Sequence, residues 1–289
     1  MTLDVRADAD RLAALALAED GTRDVTSDIT VPSGAAGRGV LLFKGAGVLA
    51  GLAYADAVAR ACGCRTEWRA PVGARLEPGG IAGEVLGLLK PLLRAERPLL
   101  NLLQRASGIA TAARAYADAV AGTGARILHT RKTAPGLRLL DVSAALAGGA
   151  GLHRLELAST VLVKDNHWQA LRAGAGSLEQ ALADARALGV TGLQVEVESE
   201  AQVGEAVAAG ATRLLVDNQT PVTVRRWAAL AREVAPAIEI EATGGITLEN
   251  VRRYADAGAD FISVGALTHS VSSADISLEL SPDTAFSAG

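Results

Sequence analysis

From Ala125 onward the chain carries six short aliphatic runs, and each ends in residues able to do chemistry. Residues 125–128 run into His129, Thr130, Arg131 and Lys132, and 160–163 run into Lys164, Asp165, Asn166 and His167. Residues 193–197 include Glu196 and are followed by Glu198, while 213–216 end in Asp217 and Asn218. Residues 238–242 lead to Thr243, Gly244 and Gly245, and 261–265 lead to Thr268 and His269. Arg131, Lys132 and Lys164, with His153 and Arg154 in the loop between them, form a group of like charge that is stable only where anions compensate it, so a polyanionic ligand is expected. The competing reading of Arg131 and Arg154 is ion pairing with nearby carboxylates; that of His153 is a satisfied loop residue. Glu196 and Asp217 could hold Mg²⁺ beside phosphates, accept from sugar hydroxyls, or balance the arginines. Thr243-Gly244-Gly245 and Gly265-Ala266 fit a loop whose backbone N–H groups cradle phosphate, or a plain turn. No P-loop, H-E-x-x-H or G-x-S-x-G motif occurs.

The elements that must position these residues are legible from Ala125 onward. Aliphatic strands alternate with amphipathic helices at the spacing of successive βα units. Ser177-x-x-Gln180 and Ser199-x-x-Gln202 match helix-capping boxes, Pro221 opens a helix and Gly258 closes the next. Strands apolar on both faces suit a parallel sheet covered by helices, closed or nearly closed into a barrel, with an open doubly wound sheet as the alternative. In such folds the site lies at the C-terminal ends of the strands, where these polar residues fall. The first 90 residues read as mixed α and β. A helix is expected near 6–18, a polar stretch at 20–30, a strand at 38–44, a glycine turn at 45–51, a helix at 54–61, and strands bounded by turns at 71–73 and 78–80. Pro98 suits the first position of a helix that runs to Ala121, stops at Gly122 and joins two domains.

Composition bounds the possibilities. At 289 residues and 29.5 kDa the chain fits two domains or one α/β barrel. It is 49% apolar with a mean hydropathy of +0.24, enough to build a core and to exclude a disordered chain. A net charge of −4 argues against a nucleic-acid partner, and 3% aromatic content argues against stacking platforms. Only four of the 28 basic residues are lysines, and two of these, Lys132 and Lys164, fall among the strand-end residues. All four histidines follow residue 128. Cys62 and Cys64 have no second pair and suit a structural role. The N-terminal stretch lacks a basic leader and a cleavage site, and no apolar run of about 18 residues occurs, so a cytoplasmic protein with no membrane association is expected.

The motifs resemble those of the quinolinate phosphoribosyltransferases. The similarity runs from DVTSDIT at Asp24 through ERPLLNLLQRASGIAT (96–111), TRKTAPGLR (130–138), HR (153–154), VLVKDNH (161–167), VEVES (195–199), LLVDN (214–218) and the long segment 241–270. The resemblance implies an α/β fold: an N-terminal α/β sandwich domain, 1–107, joined by the C-terminal segment 271–289, and an incomplete seven-stranded α/β barrel, 108–270, of the type II phosphoribosyltransferases. It implies transfer of phosphoribosyl from phosphoribosyl pyrophosphate (PRPP) to quinolinate with Mg²⁺, giving nicotinate mononucleotide, CO₂ and pyrophosphate. By motif position, Arg131, His153, Arg154 and Lys164 bind the quinolinate carboxylates, and Arg97 reaches that pocket from the neighbouring subunit of a homodimer or an assembly of dimers. Lys132, with Thr130 beside it, contacts phosphate and carboxylate groups, and Glu196 and Asp217 face the ribose hydroxyls and Mg²⁺. Thr243, Gly244, Gly245 and Gly265 cradle the 5′-phosphate, with His269 nearby. The chain departs from the usual family pattern at His129 (usually Asp), Val142, Ser143, the loop 149–152, Glu156 (usually Gly) and Pro98. A transferase for another heteroaromatic acid, or a non-catalytic anion-binding relative, are the alternatives.

Overall fold

A computed structural model describes residues 3–174 and 176–282. Before Leu89 lie α1 (Arg6–Glu19), α2 (Val25–Thr30), β1 (Ala36–Phe43), β2 (Gly47–Val48), α3 (Leu52–Ala61), β3 (Arg65–Trp68), β4 (Arg75–Leu76) and β5 (Ile81–Leu88). The long helix α4 (Leu89–Ala119) leads to β6 (Arg126–Leu128), α5 (Arg138–Ala147), β7 (Val161–Val163), α6 (Asp165–Ala173) and α7 (Leu178–Ala187). The remainder comprises β8 (Leu193–Val197), α8 (Glu200–Ala208), β9 (Arg213–Asp217), α9 (Pro221–Val234), β10 (Glu239–Thr243), α10 (Val251–Asp256), β11 (Phe261–Ser263), α11 (Ala266–His269) and β12 (Ile276–Pro282). Two units result. One takes the chain up to Arg114, Thr133–Gly149 and the residues from Leu267 on; the other takes Ala115–Lys132 and Ala150–Ala266.

The first unit is built on an antiparallel sheet in the order β12-β1-β5-β3. Strand β1 alternates buried and half-buried residues, as a strand with one face on a core must, and Leu41 and Phe43 are fully buried. Strand β12 pairs along β1 from Phe43 opposite Ile276 to Gly37 opposite Pro282. Lys44 Nζ meets Glu279 Oε1 at 2.5 Å across that pair. Residues 283–289 of the C-terminal segment lie outside the described residues. Helix α1 packs on α3, with Leu12, Tyr54 and Val58 buried. Asp24 caps α2, accepting from Ser27 N at 3.0 Å, so part of the expected polar stretch 20–30 is helical.

Pro98 does not open a helix. It lies buried inside α4, which begins nine residues earlier at Leu89. The reason is tertiary: Leu92, Ala95, Leu99, Leu103 and Ala106 form one fully buried stripe at helical spacing. Burial of Leu92 and Ala95 upstream of the proline offsets the hydrogen bond that its missing N–H forfeits.

The second unit is a parallel sheet in the order β6-β11-β10-β9-β8-β7. Gly151 bridges Leu128 on the far side of β6 and occupies the seventh strand position, so the barrel stays open between Gly151 and β7 among the described residues. Each of the six expected strands forms. Ser177, Ser199 and Thr220 accept from the backbone N–H three residues on, which fixes where α7, α8 and α9 begin. The register sorts the strands into two faces. One carries Val163, Val195, Val197, Leu214, Val216, Ile240, Ala242 and Ile262, all buried and aliphatic or alanine. The other carries Gln194, Glu196, Arg213, Leu215, Asp217, Glu241, Thr243 and Ser263. Polar side chains thus concentrate on one face, and their C-terminal members are those that the strand ends present.

Candidate active site

At the C-terminal ends of β6 to β11 lies a cavity of about 360 Å³, contained within the second unit. It is lined by Thr130, Arg131 and Lys132 after β6, His153 and Arg154 in the following loop, and Lys164 after β7. Glu196 on β8, Asp217 on β9, and Thr243, Gly244 and Gly245 at the end of β10 complete the rim. Eleven of the residues anticipated from the sequence are thereby brought together. A larger cavity of about 420 Å³ in the first unit holds Arg23, Lys90 and Asp28, but Asp28 already pairs with both cations.

The rim has a definite electrostatic order. Lys164 Nζ meets Glu196 Oε2 at 2.5 Å, because Val163 and Val195 are register partners and the next residues stand side by side. Trp168 Nε1 donates to Glu196 O at 2.9 Å and locks the end of β8 to α6, while Lys164 N–H donates to His167 Nδ1 at 3.1 Å, so His167 serves as a cap. Arg154 donates from Nη1 to Thr160 O at 3.1 Å. Burial, and then the neighbouring Arg131, lower the proton affinity of its guanidinium. Arg131 Nε is buried and has no hydrogen-bond partner among the described residues. A buried charged donor left unpaired is costly, and an anionic ligand in the cavity would satisfy it.

Opposite this basic side, Asp217 accepts from Asn218 Nδ2 at 2.6 Å. Asn218 has φ +51, the one positive φ outside glycine among the described residues, and donates its backbone N–H to Thr243 O at 2.9 Å. Gly244, at φ +82, leaves the space this needs: a Cβ there would lie 2.3 Å from Asn218 Oδ1.

The floor was not anticipated. Glu241, wholly buried, accepts from Arg213 Nη1 at 3.0 Å and from Ser263 Oγ at 2.5 Å, and its Oε1 lies 3.6 Å from His153 Nε2. Burial alone would push its carboxyl up, but His153, Ser263 and Arg213 outweigh it and hold it below the ordinary range. Arg213 also donates from Nε to Glu239 Oε2 at 2.8 Å and stacks over Phe261 at 3.9 Å. The available signal was parity: Glu241 stands two residues before Thr243, on the same strand face. His129 is also wholly buried, and burial lowers its proton affinity. Leu162, Leu215 and Asn218 complete the lining.

Three anticipated residues are not part of this lining. Arg97 is exposed on α4, Gly265 precedes α11, and His269 ends α11 with Nδ1 2.7 Å from Ser270 Oγ. Of the departures noted above, Val142 is fully buried in α5 and Glu156 is exposed, and neither lines the cavity.

For Mg²⁺ the donor set is lean. No group of three or more His, Cys, Asp or Glu side chains suited to a metal occurs among the described residues. Two carboxylates, Glu196 and Asp217, face the cavity from adjacent strands, and each has one oxygen already engaged. This fits an ion held by one or two carboxylates and by the phosphates of a substrate, the usual habit of Mg²⁺.

A parallel α/β barrel with a basic mouth, two rim carboxylates and a Gly-Gly turn defines a class: barrels that bind small anionic, phosphorylated molecules at their strand ends. Residues 24–107 match the family model of the quinolinate phosphoribosyl transferase N-terminal domain, and residues 109–279 match that of its C-terminal domain. The chain belongs to the quinolinate phosphoribosyltransferase family. It is 42% identical over 267 residues to the nicotinate-nucleotide pyrophosphorylase [carboxylating] of Mycobacterium leprae, covering 89% of this chain and 91% of that one. With the human protein of that name it shares 40% over 244 residues, covering 83% and 81%. Among solved structures it resembles NadC from Streptococcus pyogenes, with a TM-score of 0.88, 33% identity and coverage of 98% and 99%.

Proposed function

We propose that this protein transfers the phosphoribosyl group of PRPP to quinolinate with loss of CO₂, forming nicotinate mononucleotide and pyrophosphate for de novo NAD biosynthesis. Relatives about 40% identical over most of their length carry that activity in their names. The observation that carries the assignment is the basic mouth, with a buried Arg131 Nε that has no partner among the described residues, in a cavity that two carboxylates also line. Quinolinate brings two carboxylates and PRPP several phosphate charges, and a mouth of this kind neutralises both.

We assign the acid to Arg131, His153, Arg154 and Lys164, and the phosphate groups to Lys132 with Thr130 and the backbone at Thr243, Gly244, Gly245 and Gly265, with His269 beside it. The ring nitrogen attacks the ribose C1′ as pyrophosphate departs. Glu196 and Asp217 stabilise the positive charge that develops on the ribose and hold its hydroxyls. Glu196 and Asp217 would hold Mg²⁺, which would supply neutralisation of the charge on the diphosphate. Once quaternised, the ring nitrogen stabilises the electron pair left on the adjacent ring carbon as its carboxylate leaves as CO₂, and that carbon then takes up a proton. No covalent nucleophile is needed, because positioning and charge stabilisation suffice. Arg97 acts in a neighbouring subunit's pocket, which requires a homodimer or an assembly of dimers. No described helix is long and apolar enough to cross a membrane, and Cys62 and Cys64 are free thiols, in keeping with a cytoplasmic enzyme.

The decisive assay follows quinolinate, PRPP and CO₂ together with Mg²⁺ present. PRPP-dependent loss of quinolinate with equimolar CO₂ is expected. Folded protein that binds quinolinate without turning it over would overturn the assignment, and turnover of nicotinate without CO₂ would redirect it to a different acid.

A further inference from the structure

His129 precedes the Thr130-Arg131-Lys132 segment, yet its side chain is fully buried and both ring nitrogens are engaged within the protein. His153 N–H donates to His129 Nε2 at 3.0 Å. A backbone amide can only donate, so Nε2 carries no proton. The ring proton therefore sits on Nδ1, which donates to Thr130 O at 3.2 Å. The pattern continues one residue on. Arg154 N–H donates to His153 Nδ1 at 2.7 Å, which leaves the proton of a neutral His153 ring on Nε2, facing Glu241 Oε1 at 3.6 Å. The backbone N–H groups of residues 153 and 154 are thus both received by imidazole nitrogens. The two rings meet edge to face, with centroids 6.5 Å apart.

This arrangement matters because the segment crosses the mouth without regular structure. Gly151 N–H bonds to Ile127 O and Val161 N–H to Gly192 O; between those anchors the chain bends, and residues 156–159 are exposed. Side chains therefore carry much of the task of fixing where His153 and Arg154 stand. His129 is part of the cavity wall, but a ring with no exposure and no spare nitrogen has no polar atom left to read the acid itself.

We propose that His129 is a positioning residue: through the lone pair on Nε2 it sets the His153–Arg154 segment at the mouth, and so determines affinity for the acid substrate without hydrogen-bonding to it. The proposal rests on the assignment of quinolinate to this cavity. It also accounts for the departure at position 129 without any change of acid substrate.

The test pairs His129→Gln, whose side-chain oxygen can accept near the place of Nε2, with His129→Leu, which cannot accept. In His129→Leu, KM for quinolinate should rise about tenfold, the factor expected for one buried hydrogen bond, while KM for PRPP stays within about twofold. His129→Gln should remain within about threefold of the parent in both. Two readouts need no turnover. Amide exchange at His153 should be slow in the parent and in His129→Gln but fast in His129→Leu, with the strands of the barrel unaffected. Nitrogen NMR of the parent should find the His129 proton on Nδ1. Equal effects of the two substitutions, a matching rise in KM for PRPP, or a ring protonated on Nε2 would overturn the proposal. Should His129→Leu fail to fold, His129→Gln and the ring NMR still decide. If the parent never turns over quinolinate, the functional assignment fails, while exchange and NMR judge the positioning role separately.

Discussion

Glu241→Gln asks whether charge or shape holds the cavity floor. The carboxylate is fully buried against Arg213 Nη1 at 3.0 Å, Ser263 Oγ at 2.5 Å and His153 Nε2 at 3.6 Å. Glutamine has nearly the same volume, so no cavity opens. What changes is the charge facing Arg213 and one acceptor exchanged for an NH₂ among donors. Breaking a buried pair typically costs about 3–5 kcal/mol. Arg213 keeps Glu239 at 2.8 Å, a partner whose side chain is 46% exposed and correspondingly weaker, so the expected loss is about 2–3 kcal/mol. At about 2–4 °C per kcal/mol, Tm should fall by roughly 5–10 °C. Calorimetry of Glu241→Gln, Arg213→Met and the double variant completes a cycle. With neither charge buried, the double variant should be about 1–3 kcal/mol more stable than the sum of the single losses predicts. Additivity within about 0.5 kcal/mol would refute the claim that the two residues are held by mutual charge. The sign with pH follows from the lowered carboxyl. Its folded-state value lies below its unfolded one, so its contribution is complete above the ordinary carboxylate range and disappears as pH falls through the folded value. The coupling should therefore be undiminished at about pH 6 and fade only as pH falls below the ordinary carboxylate range.

Two further outcomes follow from the rim and from the proposed sharing of a pocket between subunits. Gly244→Ala places a Cβ 2.3 Å from Asn218 Oδ1 at φ +82, disturbing the amide that holds Asp217. It should lower kcat/KM for PRPP by about tenfold or more, with quinolinate affinity by calorimetry little changed; unaltered PRPP kinetics would remove this turn from the phosphate site. Arg97→Ala and Lys132→Ala should each be inactive alone but regain about a quarter of the parent activity when mixed as dimers, since half the dimers are hybrids with one intact site. No recovery after verified subunit exchange would place Arg97 within its own chain's chemistry or outside catalysis.

Much of the barrel was legible because its signals are local. The strands of the second unit read as aliphatic runs, Ser177 and Ser199 mark helix starts by a bond only three residues long, and Pro221 opens α9. Pro98 shows where a local rule fails: proline favours a first helical turn, yet the apolar stripe through Leu92 and Ala95 carries the helix back to Leu89. Lys44 and Lys90, unexplained as residues in a row, pair with Glu279 and Asp28. Glu241 was missed because a carboxylate within an otherwise aliphatic strand looks like surface until Arg213, Ser263 and His153 surround it.

By itself, then, the sequence determined which residues end the strands and what chemistry they carry: cations after β6 and β7, carboxylates on β8 and β9, glycines after β10. These follow from period-two alternation and turn propensity, which act over a few residues. Only the tertiary structure decided which of them meet. Lys164 finds Glu196 across 32 positions, and the His129 ring receives an N–H from 24 residues away. Such pairings depend on strand register and on exclusion of water, and no stretch of the chain contains either until the barrel has assembled around it.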